Sequence, residues 1–119
     1  MPRKFLAYSF NGTMVLATNT TEPFDLSGAV DVLIAISVES VSGTLPTLTL
    51  VPQTSPDGGI TWYDHPNVVA IPQFTGVAKV VRTIRRNVGP LFKFNVMVGG
   101  TAPIFGVKIF VLGSNPYYT

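Results

Sequence analysis

The sequence predicts an all-β domain, an antiparallel β-sandwich of about eight strands with a jelly-roll-like layout, and three observations lead there. Apolar residues recur with a period of two along most of the chain, which is the spacing of side chains on one face of a strand. Ten prolines and eleven glycines punctuate the 119 residues, so the strands are short and bounded by frequent turns. Parallel pairing needs long crossover connections, and the segments between the predicted strands are too short to build them.

Residues 4 to 10 and 13 to 18 are expected to form an N-terminal hairpin closed by Asn11-Gly12, a dipeptide that tolerates the positive φ angles of a tight turn. Residues 20 to 28, with Pro23 and Gly28 among polar neighbours, read as a loop or an edge crossing. From Val30 the alternation is clean. Val30, Val32, Ile34, Ile36 and Val38 fall on one face, and Asp31, Leu33, Ala35, Ser37 and Glu39 on the other. A turn around Ser42-Gly43 leads into a strand over 47 to 53, with Leu48 and Leu50 inward. A short strand follows over 60 to 63. Pro66 and Pro72 then bound an extended connection in which Val69 and Ile71 pack as an edge, where prolines are tolerated because they need not donate to a ladder. Strands over 77 to 84, 91 to 98 and 104 to 112 complete the set, separated by Asn87-Val88-Gly89-Pro90 and Gly99-Gly100-Thr101-Ala102-Pro103. Residues 1–119 read as a single domain with a short C-terminal tail, and no internal repeat is read at a fixed spacing.

Composition narrows the function classes. Only 12% of the residues are charged against 46% hydrophobic, where about a quarter charged is usual for a soluble domain, so part of the surface is expected to be covered by a partner. No apolar run nears the ~20 residues that a membrane-spanning helix requires, and the basic start Met1-Pro2-Arg3-Lys4 lacks the apolar core of a signal peptide. Cytosolic synthesis without membrane association is the expectation. The absence of cysteine excludes disulfides and thiolate metal sites. The net charge is +2, with Arg82, Arg85, Arg86, Lys93 and Lys108 all in the second half. On a strand Arg82 and Arg86 share a face while Arg85 points the other way, and no aromatic stacking platform flanks them, so nucleic acid is disfavoured as a partner.

No catalytic set is legible. His65 beside Asp64 has the look of a base with an orienting acid, but no Gly-x-Ser-x-Gly or comparable nucleophile motif accompanies it. Neither Gly58-Gly59 nor Gly99-Gly100 opens a predicted helix that would hold a phosphate. Asp57 and Asp64 are too few carboxylates to argue calcium. No catalytic residue, cofactor or metal site is assigned.

The most specific local pattern is Ser55-Pro56-Asp57-Gly58-Gly59-Ile60-Thr61-Trp62, which resembles the Asp-box of sialidases over those eight residues. It is read as a structural turn. Asp57 accepts hydrogen bonds from the turn's own backbone, with Ser55, Gly59 and Thr61 as its other members. Trp62 is expected to anchor the hairpin in the core. A sialidase is a propeller bearing several such boxes, so the resemblance does not extend to glycosidase chemistry, which also needs a second positioned carboxylate.

A longer resemblance spans roughly residues 30 to 112. The stretch from Leu48 through Gln53-Thr54-Ser55-Pro56-Asp57-Gly58-Gly59-Ile60-Thr61-Trp62 to Asp64, with Phe94 through Gly99-Gly100-Thr101-Ala102-Pro103 to Phe105, resembles small tailed-bacteriophage virion proteins and, among them, capsid decoration (cement) proteins. The resemblance implies a structural protein of the virion, made in the host cytoplasm, that binds the major capsid protein from outside the shell and is a homo-oligomer, a trimer being favoured. Phe5, Tyr8 and Phe10 at one end and Tyr117 and Tyr118 at the other lie outside the matched layout, and are candidate interface residues because aromatic side chains are enriched at interfaces. A tail or neck component is the alternative within virions. From a different class, a carbohydrate-binding module would use Trp62 and Tyr63 as stacking platforms. Burial of Trp62 would remove that platform.

Overall fold

In the computed structural model, which describes residues 3–65, 71–85 and 90–115, the chain is all-β, with no helix among the described residues. The strands are β1 (Arg3–Val15), β2 (Phe24–Asp25), β3 (Asp31–Ser55), β4 (Tyr63–Asp64), β5 (Ala78–Arg85) and β6 (Leu91–Asn115). All of their pairings are antiparallel: β3 with β4, β5 and β6, and β6 also with β1 and β2.

β3 and β6 are each 25 residues long and pair from Asp31↔Ser114 to Ser55↔Leu91. At ~3.3 Å per residue a straight ribbon of that length would reach about 80 Å. The longest dimension of the molecule is 50 Å, so the ribbon bends. The bend lies at residues 43–46 and 100–103, where the register shifts around Thr44↔Thr101. It divides the sheet into a first half, with β5 and β1 flanking residues 31–42 and 104–115, and a second half, with β4 and β2 flanking residues 47–55 and 91–99.

Two copies of one short pattern build the bend. Ser42-Gly43-Thr44-Leu45-Pro46 on β3 faces Gly99-Gly100-Thr101-Ala102-Pro103 on β6, and the pairs Ser42↔Ile104 and Thr47↔Gly99 are related by a local two-fold through Thr44↔Thr101. Gly43 and Gly100 have φ of 110° and 107°, while Leu45 and Ala102 share φ of 49°. A methyl on Gly43 would sit 2.8 Å from the Ala102 carbonyl oxygen, and one on Gly100 2.6 Å from that of Leu45. Only glycine fits where the two backbones touch. This pair, 57 residues apart, is a five-residue repeat that the sequence reading missed.

Burial alternates along both halves. Val32, Ile34, Ile36, Val38, Leu48 and Leu50 of β3 meet Phe92, Phe94, Val96, Phe105, Val107, Ile109 and Val111 of β6 in one core. Tyr8 of β1 stacks on Phe24 of β2 with ring centroids 4.5 Å apart, joining the inner faces of the two halves. This layout is compatible with a β-sandwich. Counting β3 and β6 by halves, the six strands of the described residues provide eight strand segments.

Two expected elements are corrected. The Asn11-Gly12 hairpin does not form: β1 runs straight through, with Asn11 and Gly12 paired to Lys108 and Val107. Gly12 instead makes room for a ring, because a methyl there would lie 3.3 Å from Cζ of Phe10. The strand expected over 60 to 63 shrinks to Tyr63–Asp64, and Ile60 is exposed in the turn before it. Ile71 is buried but belongs to no strand, the bridge to β3 in this segment being made by Phe74 with Leu48, and Pro66 and Val69 lie outside the described residues.

Candidate functional site

The turn after β3 is built by side chains. Ser55, fully buried, donates its hydroxyl to Asp57 Oδ1 at 2.8 Å and accepts the Gly59 amide at 2.8 Å; the Thr61 amide donates to the same Asp57 oxygen at 2.8 Å. Gly58 and Gly59, at φ of 77° and 98°, supply the left-handed backbone this loop requires. The Thr61 amide above all, then the Thr61 and Ser55 hydroxyls, hold the exposed Asp57 carboxyl down at about 2. An ionised carboxylate committed to its own turn is a poor proton donor.

Trp62 does not enter the core. It is half-buried on the outer side of the second half, where its Nε1 donates to the Gly59 carbonyl at 3.2 Å and Lys93 Nζ lies 4.5 Å from the ring centroid. The expected core anchor is therefore corrected: the large rings fully buried at the centre are those of Phe92, Phe94 and Phe105, and the indole lies outside them. Beside it Gln53 donates to Asp64 Oδ1 at 3.0 Å, and Gln53 is paired in register with Lys93. Tyr63 is exposed. Trp62, Lys93, Gln53 and Asp64 thus form a mixed aromatic and polar surface.

The other sequence candidates separate. His65 is buried, with its amide donating to the Pro52 carbonyl at 2.9 Å and its ring 5.8 Å from that of Phe92, whereas Asp64 faces solvent. Among the described residues no three His, Cys, Asp or Glu side chains are grouped to hold a metal ion. Phe5, Tyr8 and Phe10 are half-buried; Tyr8 and Phe10 pack against the core, and Phe5 lies over Gly113. Burial raises the Tyr8 hydroxyl above its usual range. Tyr117 and Tyr118 lie outside the described residues.

A surface that the sequence reading passed over is the outer face of the first half. The register places Val81, Ala35, Phe110 and Ser9 in one row across β5, β3, β6 and β1, and Thr83, Leu33, Leu112 and Leu6 in the next. Val81 is 56% exposed, Leu6 55%, Phe110 45% and Leu112 41%. Contiguous apolar surface of this kind is unusual on a free monomer. The row on one side holds Lys79, Ser37, Lys108 and Asn11, and the row on the other Arg85, Asp31, Ser114 and Lys4. The signal was present in Phe110-Val111-Leu112, where apolar residues occupy both faces of one strand.

No protein-family profile and no curated protein sequence matches the chain. Among solved structures, the fold is similar to part of the Clostridium thermocellum endo-1,4-beta-D-xylanase 10B CBM22-1-GH10 structure, complexed with xylohexaose, at a TM-score of 0.50 and 7% identity over 82% of this chain. The chain spans only 20% of that xylanase chain. A Bacillus endospore appendage protein, from a family of disulfide-linked pili, has a TM-score of 0.43 at 13% identity, covering 99% of this chain and 88% of its own. The SPBc2 prophage-derived protein YomS has 0.43 at 15% identity, covering 95% and 96%. Likeness at such identities speaks to fold alone.

Proposed function

We propose that the chain is a non-catalytic structural protein of a bacteriophage particle, a decoration protein that binds the outside of the capsid and bridges its subunits. The observation behind this reading is the exposed apolar face of the first half, in a chain only 12% charged. Apolar surface gains free energy when removed from water, at roughly 25 cal/mol per Å², and a repeating shell offers a place to bury it. The phage context rests on the resemblance of the Asp-box turn and the Gly-Gly-Thr-Ala-Pro segment to virion proteins. The trimer and the major capsid protein as partner belong to the same reading. Mass spectrometry of purified particles, separated into shells and tails, tests it: the chain is expected in the shell fraction. Recovery with tails alone would assign a tail or neck component, and absence from particles would overturn the reading.

One observation favours a second reading, carbohydrate binding. Trp62 is only half-buried and shares its surface with Lys93, Gln53 and Asp64, a combination of ring and hydrogen-bonding groups suited to sugars. Titration of the intrinsic tryptophan fluorescence with xylohexaose decides it. An unchanged spectrum at millimolar sugar removes this alternative.

A further inference from the structure

We infer that the outer face of the first half docks onto a protein surface that is apolar at its centre and acidic at its rim, and not onto a second copy of the same face. The inference rests on the particle-binding reading and adds the chemistry of the partner.

The charges around the patch decide between these occupants. Lys79 and Lys108 stand in the row on one side of the apolar rows, and Lys4 and Arg85 in the row on the other. These are four of the chain's eight cations. Only two carboxylates share the face: Glu39, 3.7 Å from Lys108, and Asp31, paired in register with Arg85. Glu22, Asp25, Asp57 and Asp64 all lie outside it, on β2, β4 and the loops that precede them. The face is therefore apolar in the middle and net basic at both ends.

If two such faces met about a two-fold axis, cations would oppose cations at each end, and like charges brought together in an interface are costly. A polyanion such as nucleic acid would satisfy the cations and leave Phe110, Leu112 and Val81 in water. A protein patch with aliphatic residues at its centre and Asp or Glu around them satisfies both parts. Burial of the centre holds the complex, and the rim steers approach and fixes orientation.

The test uses the full chain and the shells and tails of the particles that contain it. Phe110→Ser and the double variant Lys79→Glu with Arg85→Glu are titrated onto shells and onto tails beside the parent protein. Val81→Ser serves as a second apolar variant. Because the altered side chains face solvent, melting temperatures are expected to stay within a few degrees of the parent. Each variant is expected to weaken binding at least tenfold. The parent's affinity should fall with added salt, and the double variant should lose most of that dependence. Parent-like binding by all three variants would overturn the assignment of this face while leaving the particle reading in place. A parent that binds neither shells nor tails removes the particle reading itself. Light scattering supplies the remaining arm: a parent oligomer that the Phe110→Ser and Val81→Ser variants dissociate would show that a second copy covers the face, against this inference.

Discussion

The bend of the β3/β6 ribbon and the turn after β3 reverse or redirect the chain by opposite means. In the bend the work is done by backbone. Gly43 and Gly100 let two strands touch, Leu45 is 84% exposed, and of the side chains at the bend only that of Pro103 is buried. In the turn the side chains of Ser55 and Asp57 hold the loop through three hydrogen bonds. The contrast teaches that two glycine-containing segments of similar length depend on different chemistry: one on the absence of a Cβ, the other on hydroxyl and carboxylate hydrogen bonds.

The largest effect is expected at the bend. Gly100→Ala sets a methyl against the backbone of residues 44–46 at positive φ, and should destabilise the fold by about 3 kcal/mol, combining left-handed strain with a steric clash. By the local two-fold, Gly43→Ala should cost a similar amount. Chemical denaturation of both variants checks this, and a loss below about 1 kcal/mol in either would show that the crossing can relax. Ser55→Ala comes next. It removes a buried hydroxyl that both donates and accepts, leaving the Gly59 amide short of a partner. A loss of about 1–2 kcal/mol is expected in the same assay.

Acid sharpens the comparison further. Asp57 has its carboxyl lowered from 3.8 to about 2 in the folded chain, so its contribution is complete above 3.8 and is lost as pH falls toward 2. The parent should lose melting temperature through that window more steeply than Asp57→Asn. Asp25, lowered by the Ser27 hydroxyl and amide, leaves some acid sensitivity in both proteins. Parallel melting curves would remove the carboxylate from the account of the turn. The smallest effect is expected from Leu45→Ser, which should change stability by under about 0.5 kcal/mol because the side chain is already in water.

What the sequence made legible followed from periodicity, and what it concealed followed from pairing. The alternation from Val32 to Val38 marked one face that is indeed buried, and Leu48 and Leu50, expected inward on the next segment, are buried too. Asn11-Gly12 misled because a glycine has more than one use. Its small size serves the Phe10 ring on a continuous strand, as Gly113 does under Phe5, and local composition does not separate that from a turn. The Asp-box pattern pointed to its own hydrogen bonds but not to the outward position of Trp62, where the ring meets Lys93 of β6, a strand distant in sequence. The docking face was concealed for a similar reason. Leu6, Val81 and Phe110 come from β1, β5 and β6, strands distant in sequence that the β1/β6, β3/β6 and β3/β5 pairings bring to one face, so no window of sequence holds them together.

The central position of β6 has a kinetic meaning. β1, β2 and β3 all find partners on β6, the last strand in chain order, and even the nearest β3/β6 pair, Ser55 and Leu91, is separated by 36 residues. Among the described residues only the two-residue contact of β4 with β3 closes locally. Loop closure on this scale costs entropy before any ladder repays it, and chains rich in distant contacts fold in milliseconds to seconds rather than microseconds. During synthesis residues 31–38 of β3 can pair with β5 first, but most of its remaining length, apart from the two-residue contact with β4, waits for β6. A stopped-flow refolding trace completed within microseconds would contradict that order, which makes the interval before β6 emerges the time at which this chain is most open to aggregation.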